Sequence, residues 1–341
     1  TLADGSLVEV ASDGSVSETV VGRMVFGTAP GRGLTARRFE ESYSGVAAIW
    51  EFERFSEEVF PIDQYRGGNA GASVTARFES ASGAFAELEV SPEPELTATR
   101  IRWTVGGLGE VSSLAVPVAC DGAASFYGFG EQYNAGDQRG EAFELFVTEQ
   151  GIGRDPAGPT GGINGNEHTT YFPMPYWLDR RGHGVLFETD HRVLVDLCAS
   201  DAGVAWVEVV TDAPLDILVF HGPTPLDVIE QLSRVVGRPT APPSWAYELW
   251  IGSQGGRDAV LAEVDALEAA SIPVGAFWVQ DWTGPRPNFD GGFGVQYRWR
   301  PDDEHYPDLA GMIGELHDRG YRFLGYANPF IDPNLEHFPE M

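Results

Sequence analysis

A chain of 341 residues is longer than one ordinary domain, and length alone predicts two. Hydrophobic residues make up 43% and aromatics 12%, enough apolar side chain for sizeable cores, which excludes a disordered chain. The formal net charge is −29 and all 22 basic residues are Arg, so the clustered cations that bind nucleic acid or anionic membranes are excluded.

From residue 1 to about 222 the pattern predicts an all-β domain. Thr97, Thr99, Ile101, Trp103 and Val105 alternate with Ala98, Arg100, Arg102 and Thr104, the period-two signature of a half-buried strand. Turn signals recur at Ser12-Asp13-Gly14, Gly67-Gly68-Asn69, Ser82-Gly83 and Arg181-Gly182, which predicts many short strands in an antiparallel sandwich. Cys120 and Cys198 lack metal-ligand or redox spacing and are expected as buried free thiols rather than a disulfide. His183, His191 and His221 also lack ligand spacing and read as surface or satisfied histidines. No metal and no cofactor are expected.

Two loop stretches in this region are functional candidates, Gly128-Phe-Gly-Glu131-Gln132-Tyr133 and Glu149-Gln150-Gly-Ile-Gly153-Arg154. On composition alone, hairpin turns with solvated charges account better for them. Gly151-Ile-Gly153 has no βαβ unit around it, so it is no dinucleotide fingerprint.

A helix then marks a boundary. Thr224 is a fitting N-cap, Pro225 takes the first helical position and Gly237 stops the run, with Val228, Leu232 and Val235 on one face. Arg238-Pro239-Thr-Ala-Pro242-Pro243 follows as a stiff linker. The expected organisation is a sandwich over 1–222, a connecting helix and linker over 223–243, and barrel units over 244–341.

From Trp245 the rhythm changes to βα. Short apolar runs predict buried parallel strands near 246–251, 273–279 and 322–327. Helices are predicted near 257–270, with Val260, Leu261, Val264 and Leu267 inward, and near 308–319, with Leu309, Met312, Ile313 and Leu316 inward. Gln254, Gln280, Asp281 and Asn328 fall at the carboxyl ends of the strands, where a βα barrel assembles its site. Asp281 lies between Trp278 and Trp282, and a carboxylate between indoles suits a sugar: aromatic faces stack on C–H groups while the acid accepts from hydroxyls. A turn-capping Asp281 beside core tryptophans explains the bare Gln-Asp-Trp equally well.

The motifs together resemble family 31 of the glycoside hydrolases, the α-glucosidase family, and within it the sulfoquinovosidase branch. The resemblance rests on Gly128-Phe-Gly-Glu131-Gln132, Arg139-Gly140, Thr148-Glu149-Gln150-Gly-Ile-Gly153-Arg154 and Thr170-Tyr171-Phe172-Pro173, then on Gly252-Ser-Gln254-Gly255-Gly256, Gln280-Asp281-Trp282-Thr-Gly284, Tyr306-Pro307 and Asn328-Pro329. It implies a β-sandwich followed by the first part of a (β/α)8 TIM barrel, and a retaining α-glycosidase acting on an α-glycoside. The sugar contacts it implies are Asp281, Gln280, Trp282, Trp278, Gln254, Glu131, Glu149, Gln150, Arg154 and Trp299. The catalytic nucleophile and the acid/base, both Asp in the family, are expected beyond Met341, so residues 1–341 alone are expected to be inactive. Retaining hydrolysis needs two carboxyl groups about 5 Å apart, and Asp281 fills neither role.

One departure concerns substrate. Sulfoquinovosidases carry an Arg three residues before a Trp to hold the sulfonate, whereas here Gly294 stands three before Tyr297 and Gln296 three before Trp299. Arg286, Arg298 and Arg300 are the nearby alternatives, and a neutral α-glucoside is an equal expectation. Two other classes compete: a non-catalytic carbohydrate-binding protein, and an unrelated barrel enzyme such as a phosphate-sugar isomerase. The expected partner is a carbohydrate, with no nucleic acid and no membrane, and homo-oligomerisation is left open. The chain opens Thr1-Leu-Ala-Asp without an initiator Met and reads as cut at both ends; the compartment stays open, with the cytoplasm favoured.

Overall fold

The computed structural model describes residues 1–2, 5–13, 15–46, 49–93, 95–149, 165–287 and 293–327. Two compact units make up the chain, Thr1–Arg238 and Pro239–Met341.

In the first unit, β1 (Leu7–Val10), β2 (Val16–Val20) and β3 (Arg23–Gly27) form a small antiparallel sheet. The ribbon strands β4 (Leu34–Val46) and β5 (Ile49–Ile62) follow, then the meander β6 (Gln64–Ala70), β7 (Val74–Glu79), β8 (Phe85–Glu93) and β9 (Ala98–Gly106). Next come β10 (Ser113–Ala119), β11 (Tyr127–Gly130), β12 (Ala142–Leu145), β13 (Pro173–Asp179), β14 (His183–Phe187), β15 (Val193–Asp201), β16 (Val204–Val209) and β17 (Leu215–His221). These strands build two sheets, of order β12-β15-β16-β10-β4-β5 and β11-β13-β14-β17-β9-β8-β7-β6. Alternation explains the packing: in β9, Ile101 and Trp103 are buried while Arg102 and Thr104 are exposed. Leu114 and Val116 of one sheet share a core with Phe78, Trp103 and Ile217 of the other, which is the predicted sandwich.

The ribbon β4–β5 departs from its sheet. β10 pairs with β4 only from Thr35 to Arg37, after which the β4–β5 register shifts between Arg38 and Glu40 and Ser56 adopts φ 51°. Such a bulge bends a hairpin. Past the bend the ribbon lies back across β16 and β15 toward β12. Arg54 donates to Glu208 at 2.7 Å, Arg192 pairs with Glu41, and Phe52 meets Phe146 edge-on at 5.3 Å.

One expectation for this unit is corrected. Cys120 and Cys198 form a disulfide: Cys120 follows β10 and Cys198 lies in the bulged end of β15, the strands on either side of β16, with Cα atoms 6.4 Å apart. Of the two alternatives for the histidines, His183 and His221 are the buried kind, each 7% exposed and directly opposite the other on β14 and β17.

The helix α1 (Pro225–Val236) starts as predicted. Thr224 and Asp227 form a reciprocal capping box, and Val228 and Leu232 pack on Tyr176 and Phe220, although Val235 stays exposed. In the second unit, β18 (Trp250–Ser253), α2 (Arg257–Ala269), β19 (Ala276–Val279), the short pair β20 (Pro285–Pro287) and β21 (Phe293–Val295), α3 (Leu309–Asp318) and β22 (Arg322–Gly325) follow in order. β18, β19 and β22 pair in parallel, with α2 and α3 as crossovers. The first strand begins later than predicted: Ser244–Tyr247 form a 3-10 turn launched by the extended Pro243, so pairing starts only at Trp250. Val260, Val264, Met312 and Leu316 are the fully buried helix residues, against Phe277 and Val279 of the sheet. Among the described residues no helix is long and apolar enough to cross a membrane.

Candidate functional site

The carboxyl ends of β18 and β19 open into a cavity of about 550 Å³. Gln254 and Gln280 stand at its lip, one after each strand, and the Gln254 amide Nε2 donates to Gln280 Oε1 at 2.8 Å. Arg286, Tyr297 and His305 complete the wall. The parallel sheet itself makes this meeting: the β18–β19 register holds Ser253 level with Val279, so the next residue of each strand emerges side by side.

Asp281 makes contacts of the turn-holding kind that the sequence left open beside a sugar contact. Alternation along β19 sends Phe277 and Val279 into the helix-side core, with Trp278 facing out, and Asp281 follows the buried parity at 7% exposure. Its Oδ2 accepts from the Gly255 N–H at 2.9 Å and lies 2.9 Å from His305 Nε2, while its Oδ1 accepts from the Tyr306 hydroxyl. Three protein partners thus surround a carboxylate that the sequence reading left open for two sugar hydroxyls. Burial, followed by this Asp281 bond, pushes the Tyr306 phenol above its ordinary range.

The predicted indole walls do not form around Asp281. Trp278 is 42% exposed and meets Tyr326, and Trp282 donates to the Tyr326 carbonyl at 2.6 Å while packing into the core; neither lines the cavity. Trp299 is half exposed, away from the cavity wall.

The turn that carries Gln254 depends on two glycines. Gly255 and Gly256 have φ of +102° and +95°, and a Cβ on Gly256 would stand 2.8 Å from the His305 carbonyl oxygen. That oxygen accepts from Arg257 N–H at 3.0 Å, and the Gly256 N–H reaches the Tyr306 hydroxyl oxygen at 3.2 Å. The facing segment is set by Asp302, whose Oδ1 accepts from the Glu304 and His305 N–H groups while Arg298 grips its Oδ2 at 2.6 Å. The sequence reading missed His305 as a wall residue. The available signal was Asp302-x-x-His305 ahead of Tyr306-Pro307, an Asp turn that aims the next side chains.

The sandwich candidates sit within the first unit. Glu131 Oε2 accepts from Thr170 Oγ1 at 3.1 Å and Tyr133 OH at 3.2 Å, and Glu149 accepts from Tyr171 OH. The two acids therefore hold neighbouring residues of one loop. Gln150 and Arg154 lie outside the described residues, as does Asn328. A larger hollow of about 640 Å³ lies on the outer sheet face between Arg66, Arg77 and Arg102. Each of these guanidiniums already faces a carboxylate, from Glu79, Glu87 or Asp216, which makes it a ladder of surface ion pairs.

Comparison with known proteins gives these likenesses. The profile of the glycosyl hydrolases family 31 TIM-barrel domain matches residues 239–341. A sulfoquinovosidase of Agrobacterium fabrum is 30% identical over 311 residues, covering 84% of this chain and 45% of that protein. Alpha-glucosidase 2 of Bacillus thermoamyloliquefaciens is 27% identical over 236 residues, 64% of this chain and 26% of that protein. The solved family 31 sulfoquinovosidase from E. rectale superposes with a TM-score of 0.84 at 22% identity, over 98% of this chain and 50% of that one. The chain thus spans about half the length, or less, of the relatives it matches.

Proposed function

The chain belongs to glycosyl hydrolase family 31, and on that premise we propose that it is part of a retaining α-glycosidase whose barrel cavity holds the sugar on the glycone side of the cleaved bond. The observation that carries this reading is the Gln254–Gln280 amide pair at the carboxyl ends of adjacent parallel strands, at the mouth of a sugar-sized cavity. Two amides offer both donors and acceptors, the combination that vicinal hydroxyls require.

Hydrolysis with retention needs two carboxyl groups about 5 Å apart. Among the described residues Asp281 is the one carboxylate lining the cavity, and its oxygens already serve Gly255, His305 and Tyr306. Asp281 is accordingly assigned a positioning role: it fixes the Gly255 turn under Gln254 and sets the His305 ring. Residues 1–341 alone are proposed to bind the sugar without cleaving it.

A neutral α-glucoside is the first substrate reading. A sulfonated sugar is the second, favoured by one observation. Of the three candidate arginines, Arg298 is committed to Asp302 and to the Thr283 carbonyl, and Arg300 is exposed. Arg286 lines the cavity, anchored through Nε to the Val295 carbonyl at 2.9 Å, with no carboxylate partner among the described residues.

The test is hydrolysis of aryl α-glucoside and aryl α-sulfoquinovoside by the full-length enzyme and its Gln280→Ala and Arg286→Met variants. Gln280→Ala should lower kcat/KM at least ~10-fold on the true substrate, on the scale of one or two lost hydrogen bonds. A loss in Arg286→Met confined to the sulfonated substrate selects the second reading. Unchanged kinetics in Gln280→Ala would remove the cavity from the reaction.

A further inference from the structure

The two cysteines of the bridge stand in unlike surroundings. Cys120 is 5% exposed and belongs to the sandwich core. Cys198, with φ 66°, is half-buried in the β15 bulge, and the next two residues, Ala199 and Ser200, are exposed. Of the pair, Cys198 is the residue that solvent reaches.

The charges beside the two sulfurs differ as well. Arg139 Nη1 lies 2.9 Å from Cys120 Sγ and donates to the Asp121 carbonyl at 2.8 Å. This guanidinium has no carboxylate partner among the described residues, although the chain holds 51 acids. The acids on the same segments are engaged elsewhere: Asp121 Oδ2 pairs with Arg181 at 2.9 Å, and Asp137 Oδ1 accepts from the Phe126 and Arg139 N–H groups. The turn of Cys198, by contrast, is capped by an acid. Asp196 Oδ1 accepts from the N–H groups of Ala199 at 2.8 Å and Ser200 at 3.2 Å. A guanidinium favours a neighbouring thiolate, and a carboxylate disfavours one.

Thiol–disulfide exchange depends on which sulfur can be reached and on which leaves as the more stable thiolate. Both conditions select one direction here. We propose that Cys198 is a site of reversible thiolation, with Cys120 as its resolving thiol. The thiolate of a small or protein thiol attacks Cys198 Sγ and forms a new S–S bond there. The Cys120–Cys198 bond breaks, and its electron pair leaves on Cys120 Sγ beside Arg139. Return attack by that thiolate on Cys198 Sγ expels the incoming group as its thiolate and restores the bridge, with no net oxidation or reduction. The opened form keeps the two sulfurs close, because the Arg139 segment is fastened to β15 independently of the bridge. Gly140 N–H donates to the Leu197 carbonyl at 2.7 Å, and Leu197 N–H donates to the Glu141 carbonyl at 2.8 Å.

The probe is cysteamine, a small cationic thiol suited to an acidic surface. It is mixed with the native full-length protein at mildly alkaline pH, quenched in acid, and the adducts are mapped by peptide mass spectrometry. Cysteamine should appear on Cys198, with Cys120 as the free thiol. Arg139→Met should slow opening of the bridge about tenfold, and Arg139→Lys should restore most of the rate. A purely structural Arg139 gives the opposite sign, since its loss would loosen the surroundings of the bridge and speed opening. Far-UV circular dichroism establishes that each variant is folded; if Arg139→Met is not, the position of the adduct in the wild-type protein decides. Cysteamine on Cys120, on both sulfurs equally, or on neither while the protein stays native overturns the proposal. Unchanged or faster opening in a folded Arg139→Met variant does the same.

Discussion

His183 shows what a single buried group does to pH dependence. Burial pushes its imidazole down from 6.5 to about 4, opposed by Asp179 at 4.0 Å and assisted by Arg181 and Arg23. The unfolded chain therefore takes up a proton between those values that the folded chain refuses. The contribution to stability is complete above the unfolded value and is lost as pH falls toward the folded one, up to about 3 kcal/mol in all. His183→Gln should shrink the difference in unfolding free energy between pH about 7 and about 5 by roughly 2 kcal/mol, measured by urea titration at each pH. Tyr176 nearby buries a hydroxyl with no partner among the described residues. Tyr176→Phe should leave the melting temperature unchanged or raise it, by up to about 1 kcal/mol of stability. Asp281→Asn should do the opposite, because an amide NH2 would face the Tyr306 hydroxyl, the Gly255 N–H or the His305 ring. A loss of about 1–3 kcal/mol is expected, and an unshifted melting temperature would show the three contacts to be idle. At this scale position was legible and contact was not. The place of Gln254 and Gln280 after apolar runs puts them at adjacent strand ends, where the structure has them. The protein partners of Asp281 were not legible, because they follow from parity along the strand and from a distant segment: residues 277, 279 and 281 fall on one side, 278 and 280 on the other, and His305 and Tyr306 lie 24 and 25 residues away.

Elements were legible wherever local chemistry alone decides them. The capping box of α1 and the apolar stripes of α2 and α3 needed no tertiary information. Where a distant segment decides, the sequence was silent. Nothing local to Arg38 or Ser56 announces that the β4–β5 ribbon folds back over its own sheet; that follows from Glu208, Arg192 and Phe146, far along the chain. The disulfide is the same kind of feature. Spacing between Cys120 and Cys198 carries no signature, yet the bond closes a loop of 78 residues. Chain-entropy arguments give such a closure about 4 kcal/mol. Cys120→Ser with Cys198→Ser should lower the urea midpoint accordingly, and dithiothreitol should do the same to the wild-type protein while leaving the double variant unmoved.

The whole molecule is governed by its charge imbalance. Guanidiniums are placed as clamps between acids, as where Arg319 holds Asp265 and Glu268 or Arg54 holds Glu41 and Glu208, yet 51 acids against 22 arginines leave most carboxylates uncompensated. Self-repulsion should therefore dominate over the screening of surface pairs, and raising NaCl from about 10 to about 150 mM should raise the melting temperature. A fall would mean that the arginine clamps outweigh the excess. Topology has a further consequence, for the order of events during synthesis. The large sheet of the sandwich is completed by β17 entering between β9 and β14, and the N-terminal sheet is fastened by Arg23 donating to the Gly222 carbonyl, 199 residues away. A ribosome adding about 5–20 residues per second therefore holds the meander β6–β9, with the β9 edge unpaired, for several seconds before its partner emerges. Slowing translation through codons 107–221 should increase capture of the nascent chain by chaperones that bind exposed strands, whereas slowing it after residue 238 should not.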